Sequence, residues 1–167
     1  NHGLILIDFK DYQGIINLPP NDEEFQSAKW YSESSNDKSR IEIKAGSRFI
    51  NPFRQLKAYR EAFYEIIEKN IYLNGSINAS RVTIANIFSG PVEVVNNIPG
   101  SLRYYKLVQE SELTTFLYDF ASENKFTQEI ASALKVIFPA SKWEEVSLQI
   151  PISKKEKNIQ EIEKEVE

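Results

Sequence analysis

The sequence predicts a mixed α/β domain in which helices cover a small sheet. Strand-like and helix-like segments alternate along the chain, an apolar run stands near its start, and a well-capped amphipathic helix begins near residue 51. The chain has 167 residues, of which 41% are hydrophobic and 26% are charged. This size and composition are typical of one folded domain rather than of a disordered segment.

Two strands are predicted at the start of the chain. The apolar run from Leu4 to Lys10 is typical of a strand in the interior of a sheet. Residues 14–18 predict a second strand, which Pro19 and Pro20 end. Because domains seldom begin with a central strand, we expect an upstream part of the fold to precede this chain.

The next segment, residues 21–40, is polar. Within it an exposed hairpin tip or mobile loop is predicted at Ser32, Ser34, Ser35, Asn36 and Asp37. Trp30 and the alternating Ile41 and Ile43 predict a short hairpin around that tip.

The strongest helix is predicted from Asn51 to about Asn70. Asparagine is a favourable N-cap, and proline is favourable at the first helical position, which Pro52 occupies. The predicted apolar side of this helix consists of Leu56, Tyr59, Ala62, Phe63, Ile66 and Ile67.

The rest of the chain predicts two more strands and two more helices. The strands are residues 81–88 and 104–108, and the helices are residues 110–121 and a helix 128–138 that Thr127 caps. The last fourteen residues hold four lysines and five glutamates. We therefore expect a domain over residues 1–150 and a charged tail or linker over residues 151–167.

Composition excludes several kinds of site. The chain has no cysteine and one histidine, which excludes disulfide scaffolds and thiol nucleophiles and argues against histidine-based metal sites. No apolar run is long enough to cross a membrane, and the lack of cysteine fits a cytoplasmic location. The net charge of −4 means that nucleic-acid binding would depend on local basic patches.

Asp8 and Lys10 are the first candidate pair. Residues two apart on a strand share a face, so the two side chains point the same way, about 7 Å apart at their Cα atoms. A carboxylate can hold Mg²⁺, and a neighbouring ammonium can stabilise charge that develops on a phosphate. The alternative is a routine ion pair where the strand reaches solvent.

Gln55 and Tyr59 are the second candidate pair. They are four apart on the predicted helix, so one lies above the other, on the side of Ala62 and Ile66 that is predicted to face the core. A glutamine there needs a partner, which is a ligand in the functional interpretation and a loop carbonyl in the structural one.

Basic residues form a third feature. Between residues 37 and 60 there are seven basic and two acidic side chains, an excess of five positive charges. Such a band can follow a nucleic-acid backbone, with Trp30, Tyr31 and Phe49 available for stacking on bases. A solvated polar face is the alternative interpretation, and Arg54, Lys57 and Arg60 are predicted on the polar side of the helix.

Taken together, these segments resemble the nuclease-related domain (NERD) family, which belongs to the PD-(D/E)xK, restriction-endonuclease-like superfamily. The resemblance covers about residues 3 to 120 and rests on a glycine-led apolar strand that ends in acid-x-Lys, a tryptophan, and an Asn-Pro-x-x-Gln helix start. In this chain these are Gly3, Asp8, Lys10, Gly14, Trp30, Asn51, Pro52 and Gln55. Gln55 to Tyr59 also looks like the Gln-x-x-x-Tyr motif of exonuclease domains fused to recombination helicases.

The resemblance implies a restriction-endonuclease-like mixed sheet flanked by helices, here without the N-terminal helix and first strand. It implies that Asp8 and the backbone carbonyl of Phe9 bind Mg²⁺ or Mn²⁺, that Lys10 is catalytic, and that Gln55 and Tyr59 position the phosphate or the water. The chain departs from the family in having aspartate where NERD usually has glutamate. The family also places another acid on the preceding strand, and no carboxylate precedes Asp8 here.

The leading hypothesis is a metal-dependent DNA nuclease domain of a larger protein that carries a helicase, another ATPase or a defence module. Its predicted DNA contacts are Arg48, Arg54, Lys57 and Arg60. One alternative is a catalytically incomplete module that binds nucleic acid or a partner protein. Another is an assembly domain with Trp30 and Phe49 at a protein interface.

Overall fold

The computed structural model describes residues 4–46, 48–70, 73, 77–78, 81–120 and 127–138. The predicted boundary near residue 150 and the charged tail lie outside these residues. The described part of the chain forms an α/β protein in which helices flank the sheets, as the sequence predicts.

Seven strands and four α-helices make up the described residues. In chain order they are β1 Ile5–Lys10, β2 Gly14–Asn17, α1 Asp22–Ser27, β3 Tyr31–Glu33, β4 Arg40–Glu42, α2 Pro52–Lys69, β5 Thr83–Phe88, β6 Val92–Val95, β7 Tyr105–Gln109, α3 Leu113–Asp119 and α4 Gln128–Ile137. Short 3₁₀ turns at Gly100–Leu102 and Glu110–Glu112 precede β7 and α3.

The strands form two sheets. Sheet A has the order β1-β5-β7 and is parallel throughout. Sheet B has the order β4-β3-β2-β6 and is mixed, because β2 pairs antiparallel with β3 but parallel with β6. The predicted hairpin around the polar tip is confirmed as the antiparallel pair of β3 and β4.

Two long bent segments connect the sheets. After a bend β1 continues into β2, and β5 continues into β6, so that both segments are paired in sheet A and again in sheet B. Gly14 stands at the bend with φ +99°, and a Cβ atom there would clash with the Glu33 carbonyl oxygen. Only glycine accommodates both constraints.

Among the described residues, the core consists of three apolar clusters on the two faces of sheet A and beside sheet B. On one face α2 packs against β1 and β5, and Leu4 and Leu6 point into this contact. On the other face Ile5 and Ile7 pack with residues of α3. The predicted alternation along β1 is therefore confirmed.

Trp30 lies at the centre of the core and is fully buried. Its ring packs edge-on against Phe25 and Tyr105. The predictions that Trp30 stacks on bases or lies at a protein interface are therefore wrong, since no part of the side chain reaches the surface.

Helix α2 begins as predicted, with the Asn51 side chain accepting a hydrogen bond from the Arg54 N–H. The predicted apolar side is only partly correct. Ala62 and Ile66 are exposed, and Tyr59 is 48% exposed. The buried stripe runs instead through Phe53, Leu56, Phe63 and Ile67, whose spacings of three, seven and four residues are one or two turns of a helix with 3.6 residues per turn.

Two elements were not predicted, α1 and β6. Both are short and polar or exposed, and α1 buries only Phe25. The signal for α1 was Asn21, whose side chain caps the helix by accepting from the Glu24 N–H. Within the described residues, no helix combines the length and the apolar character that crossing a membrane requires.

Candidate functional site

A row of hydrogen-bonded polar side chains lies between sheet A and α2, although this space is otherwise part of the core. Lys10 of β1 is 7% exposed, Gln55 of α2 is 8% exposed and Asn86 of β5 is fully buried. Buried polar groups are costly unless they are paired, and every fully buried side-chain polar atom among the described residues has a partner. We call this row the polar network.

Asp8 and Lys10 are paired as the strand alternation predicts. The Asp8 Oδ2 and Lys10 Nζ atoms are 2.8 Å apart, and the Lys10 side chain is almost fully enclosed. The pair therefore does not lie at a solvent-exposed strand end, which was the alternative interpretation. Because Lys10 is nearly buried, its charge depends on Asp8, whose side chain is 22% exposed, and on its remaining hydrogen bonds.

Lys10 also joins β1 to α2. Its Nζ donates to Gln55 Oε1 at 3.0 Å, and Gln55 Nε2 donates to the Tyr59 hydroxyl oxygen at 3.2 Å. The four residues predicted from two distant parts of the sequence thus form one continuous set of contacts. The partner of Gln55 is a charged side chain of the network rather than a loop carbonyl.

The direction of these hydrogen bonds follows from chemistry. An ammonium group has only donors, so the oxygen of the Gln55 amide must face Lys10, and the amide nitrogen must face Tyr59. The Tyr59 oxygen accepts this bond, which leaves its own hydrogen able to donate elsewhere. Since the side chain is half-exposed, that donor is accessible from solvent.

Asn86 and Tyr105 extend the network, and neither was predicted. Asn86 lies opposite Asp8 in the β1–β5 register, and its Nδ2 donates to Asp8 Oδ2 at 3.1 Å. The Tyr105 hydroxyl donates to Asn86 Oδ1 at 2.7 Å. The available signal was an amide in the middle of the apolar strand 83–88.

Burial also acts on the acid–base behaviour of Tyr105. Removal from water raises the pKa of the Tyr105 hydroxyl well above its ordinary value, and the negative charge of Asp8 raises it further. The hydroxyl therefore stays protonated, and remains a hydrogen-bond donor, at neutral pH.

The described residues offer two oxygen ligands for a divalent cation. Asp8 Oδ2 pairs with the Lys10 ammonium and accepts a hydrogen bond from the Asn86 amide, while none of the described residues bonds to Asp8 Oδ1. The Lys10 carbonyl accepts a hydrogen bond from the Ser89 N–H and therefore points toward β5. Successive carbonyls of a strand point to opposite edges, so the Phe9 carbonyl points to the other edge of β1.

These two oxygens suit Mg²⁺ or Mn²⁺, which prefer carboxylate, carbonyl and water ligands. They make only part of a coordination shell. No group of three or more acidic or histidine side chains that could hold a metal occurs in the described part of the chain. Water and phosphate oxygens would have to supply the remaining ligands unless further carboxylates join the site.

The four predicted DNA contacts differ in their surroundings. Arg48 and Arg54 are exposed, and Lys57 is half-buried and donates to Gln26. Arg60, in contrast, lies on the buried stripe of α2, where its Nε donates to the Val82 carbonyl at 2.8 Å.

The predicted position of Arg60 on the polar side of the helix is therefore wrong. Its guanidinium group also lies 4.2 Å from the centre of the Tyr104 ring. The side chain fills the stripe between Leu56 and Phe63, which explains why a charged residue can lie against the core.

Two of the aromatic rings predicted to be available for stacking, Phe49 and Tyr31, are partly exposed. Phe49 packs edge-on against Tyr59, with ring centres 6.0 Å apart. Tyr31 lies beneath the Arg40 guanidinium, 3.9 Å from ring centre to Cζ.

The polar network thus presents two chemically different groups. Asp8 presents a free carboxylate oxygen, which can accept a hydrogen bond or bind a cation. Tyr59 presents a hydroxyl hydrogen, which can donate to an anionic oxygen. The ammonium of Lys10 lies between them. Comparisons with protein-family models, curated proteins and solved structures found no match for this chain.

Proposed function

We propose that this chain is a metal-dependent DNA nuclease domain of the NERD type, which hydrolyses phosphodiester bonds by attack of water. The observation that carries the proposal is the contact of Asp8 and Lys10 with Gln55 and Tyr59 in one partly buried network. The motif resemblance needs these residues to converge, although 45 residues separate Lys10 from Gln55.

Asp8 Oδ1 and the Phe9 carbonyl would hold Mg²⁺ or Mn²⁺, which lowers the pKa of a bound water and offsets charge on the phosphate. Lys10 supplies a fixed positive charge beside the reacting phosphate. Gln55 holds the Tyr59 oxygen, so that the Tyr59 hydroxyl is oriented to donate to a non-bridging phosphate oxygen.

The topology supports the same assignment. Parallel strands β1 and β5, with α2 packed across them, bring an acid-x-Lys strand and a glutamine-bearing helix together, as a restriction-endonuclease-like fold requires. Among the described residues β1 is an edge strand of sheet A. That edge leaves room for the additional acid-bearing strand that the resemblance implies.

DNA would approach along the side where Arg48 and Arg54 are exposed, near the first turns of α2. These side chains can contact backbone phosphates, and Lys57 can do so after releasing Gln26. Arg60 takes no part in this surface, because it contacts Val82 and Tyr104. The same proposal includes attachment to a helicase, another ATPase or a defence module.

The test is cleavage of plasmid DNA by the natural full-length protein in Mg²⁺ or Mn²⁺. Asp8→Asn and Lys10→Met should each reduce the cleavage rate about 100-fold or more. Asp37→Asn, which changes an exposed carboxylate on the β3–β4 hairpin, is the matched control and should cleave at the wild-type rate. Equal rates for wild type, Asp8→Asn and Lys10→Met would refute the nuclease assignment.

The second candidate is a nuclease-fold module that binds nucleic acid without cleaving it. It is favoured by the finding that the described residues bring only one carboxylate, that of Asp8, into the network. This function predicts salt-sensitive DNA binding in EDTA that survives Asp8→Asn but weakens in Arg54→Gln. Metal-dependent cleavage by the full-length protein would exclude it.

A further inference from the structure

The Tyr105 ring lies in a cluster of aromatic rings, and its hydroxyl group bonds outside that cluster, to Asn86. Its ring packs edge-on against Phe25, Trp30 and Phe53 at centre distances of 5.1–6.1 Å. This packing would be equally available to phenylalanine. The hydroxyl is needed only for its bond to Asn86, which is itself fully buried.

The orientation of the Asn86 amide is determined from both sides. An ionised carboxylate has only acceptors, so the amide nitrogen must face Asp8 and the amide oxygen must face away from it. The amide oxygen then accepts from Tyr105 at 2.7 Å. Without the Tyr105 donor, nothing on that side holds the amide oxygen in place. The amide could then flip, and its oxygen would face the Asp8 carboxylate.

The rotation of the Asp8 carboxylate about its final side-chain torsion depends on the orientation of the Asn86 amide. The final torsion of an aspartate side chain is broad and roughly two-fold, so packing alone does not hold it. Two donors, Lys10 Nζ and Asn86 Nδ2, converge on the same oxygen, Oδ2. They hold the carboxylate with Oδ1 turned away from both.

We propose that Asn86 and Tyr105 are positioning residues that hold Asp8 in the one orientation in which Oδ1 is free to bind a divalent cation. Tyr105 acts through Asn86, and Asn86 acts on Asp8. Neither residue touches the cation or the substrate. The cation-binding part rests on the proposed function, whereas the hydrogen-bonded relay is a property of the folded chain by itself.

The discriminating variant is Tyr105→Phe, which keeps the ring and removes the hydroxyl. The matched control is Tyr104→Phe, since Tyr104 is the neighbouring tyrosine and its ring instead packs against Arg60 and Phe53. The probe is Mn²⁺, whose binding to the full-length protein is measured by electron paramagnetic resonance in the absence of DNA. Loss of partners around a metal ligand typically weakens affinity about 10- to 100-fold.

We expect Tyr105→Phe to weaken Mn²⁺ binding by such a factor and Tyr104→Phe to leave it unchanged. Wild-type affinity in Tyr105→Phe, together with loss of binding in Asp8→Asn, would overturn the relay and leave the nuclease proposal intact. If the single variant does not fold, Tyr105→Phe combined with Asn86→Leu removes both buried polar groups together, and the same loss of affinity is expected.

A second measurement does not depend on the metal. The side-chain amide protons of Asn86 should exchange slowly with solvent in the wild type, because both ends of the amide are bonded and buried. Nuclear magnetic resonance should show faster exchange in Tyr105→Phe and unchanged exchange in Tyr104→Phe. If wild type binds no Mn²⁺, the nuclease proposal fails by itself. Unchanged Asn86 exchange in Tyr105→Phe would overturn the relay.

Discussion

Replacing Asn51 should destabilise the protein more than the loss of an ordinary helix cap, because its side chain holds three backbone groups. Its Oδ1 accepts from the Arg54 N–H at 2.9 Å. Its Nδ2 donates to the carbonyls of Phe25 at 3.0 Å and Ala28 at 2.8 Å. Asn51 is fully buried and fastens α1 to the start of α2, one turn before Gln55.

The expected cost of Asn51→Ala can be built from these bonds. Loss of a cap costs about 1 kcal/mol, and a buried carbonyl left without a donor costs about 1 kcal/mol more. The Phe25 carbonyl keeps a hydrogen bond from the Trp30 indole at 3.3 Å, so losing the Asn51 donor costs less there than at the Ala28 carbonyl. We therefore expect the free energy of unfolding to fall by about 2.5 kcal/mol.

The assay is urea unfolding followed by far-ultraviolet circular dichroism. The matched control is Asn21→Ala, because Asn21 caps α1 through a single exposed bond of 2.9 Å to the Glu24 N–H. This control should lose about 1 kcal/mol. Asn51→Asp keeps the capping oxygen but turns a carboxylate toward two carbonyls, so it should be at least as unstable as Asn51→Ala. Equal losses for Asn51→Ala and Asn21→Ala would refute this reasoning.

Three further predictions concern other parts of the fold. Gly14→Ala should lower the free energy of unfolding by at least about 1 kcal/mol, measured by urea unfolding, because φ is +99° and a Cβ would meet the Glu33 carbonyl. Arg60→Met should lower the unfolding temperature in calorimetry without weakening DNA binding, since its guanidinium bonds a backbone carbonyl and packs on an aromatic ring. Hydrogen bonds from Ser39 lower the pKa of Asp37 from 3.8 to about 2, so this stabilisation of the hairpin tip is present above pH 4 and is lost as the pH falls toward 2. Carboxyl chemical shifts should show that midpoint; a midpoint near pH 4 would contradict it.

Features that depend on local periodicity could be predicted from the sequence. The two-residue repeat of a strand places Asp8 and Lys10 on one face, and the structure has them in contact. The four-residue spacing on a helix likewise places Gln55 beside Tyr59. The Asn51 cap and the Thr127 cap follow from residue type and position alone, because capping involves only the next few backbone groups.

The side of α2 that faces the sheet was not determined by its own periodicity. Two neighbouring stripes of the helix carry apolar residues, and the large side chains of Phe53, Phe63 and Ile67 select the one that is buried. This choice puts Arg60 against the core and leaves Tyr59 half-exposed. It depends on the volumes available above β1 and β5, which no local pattern contains.

By itself, the sequence determined the composition of the candidate site: a carboxylate and an ammonium on one strand face, and an amide and a phenol on one helix. Only the tertiary structure decided which atoms meet, because strand register and helix packing join Asp8 to Asn86 and Lys10 to Gln55 across long stretches of chain. Asn86 and Tyr105 entered the network for the same reason. Hydrogen bonds act over about 3 Å, so a residue's role in such a network exists only once the fold has brought its partner within that distance.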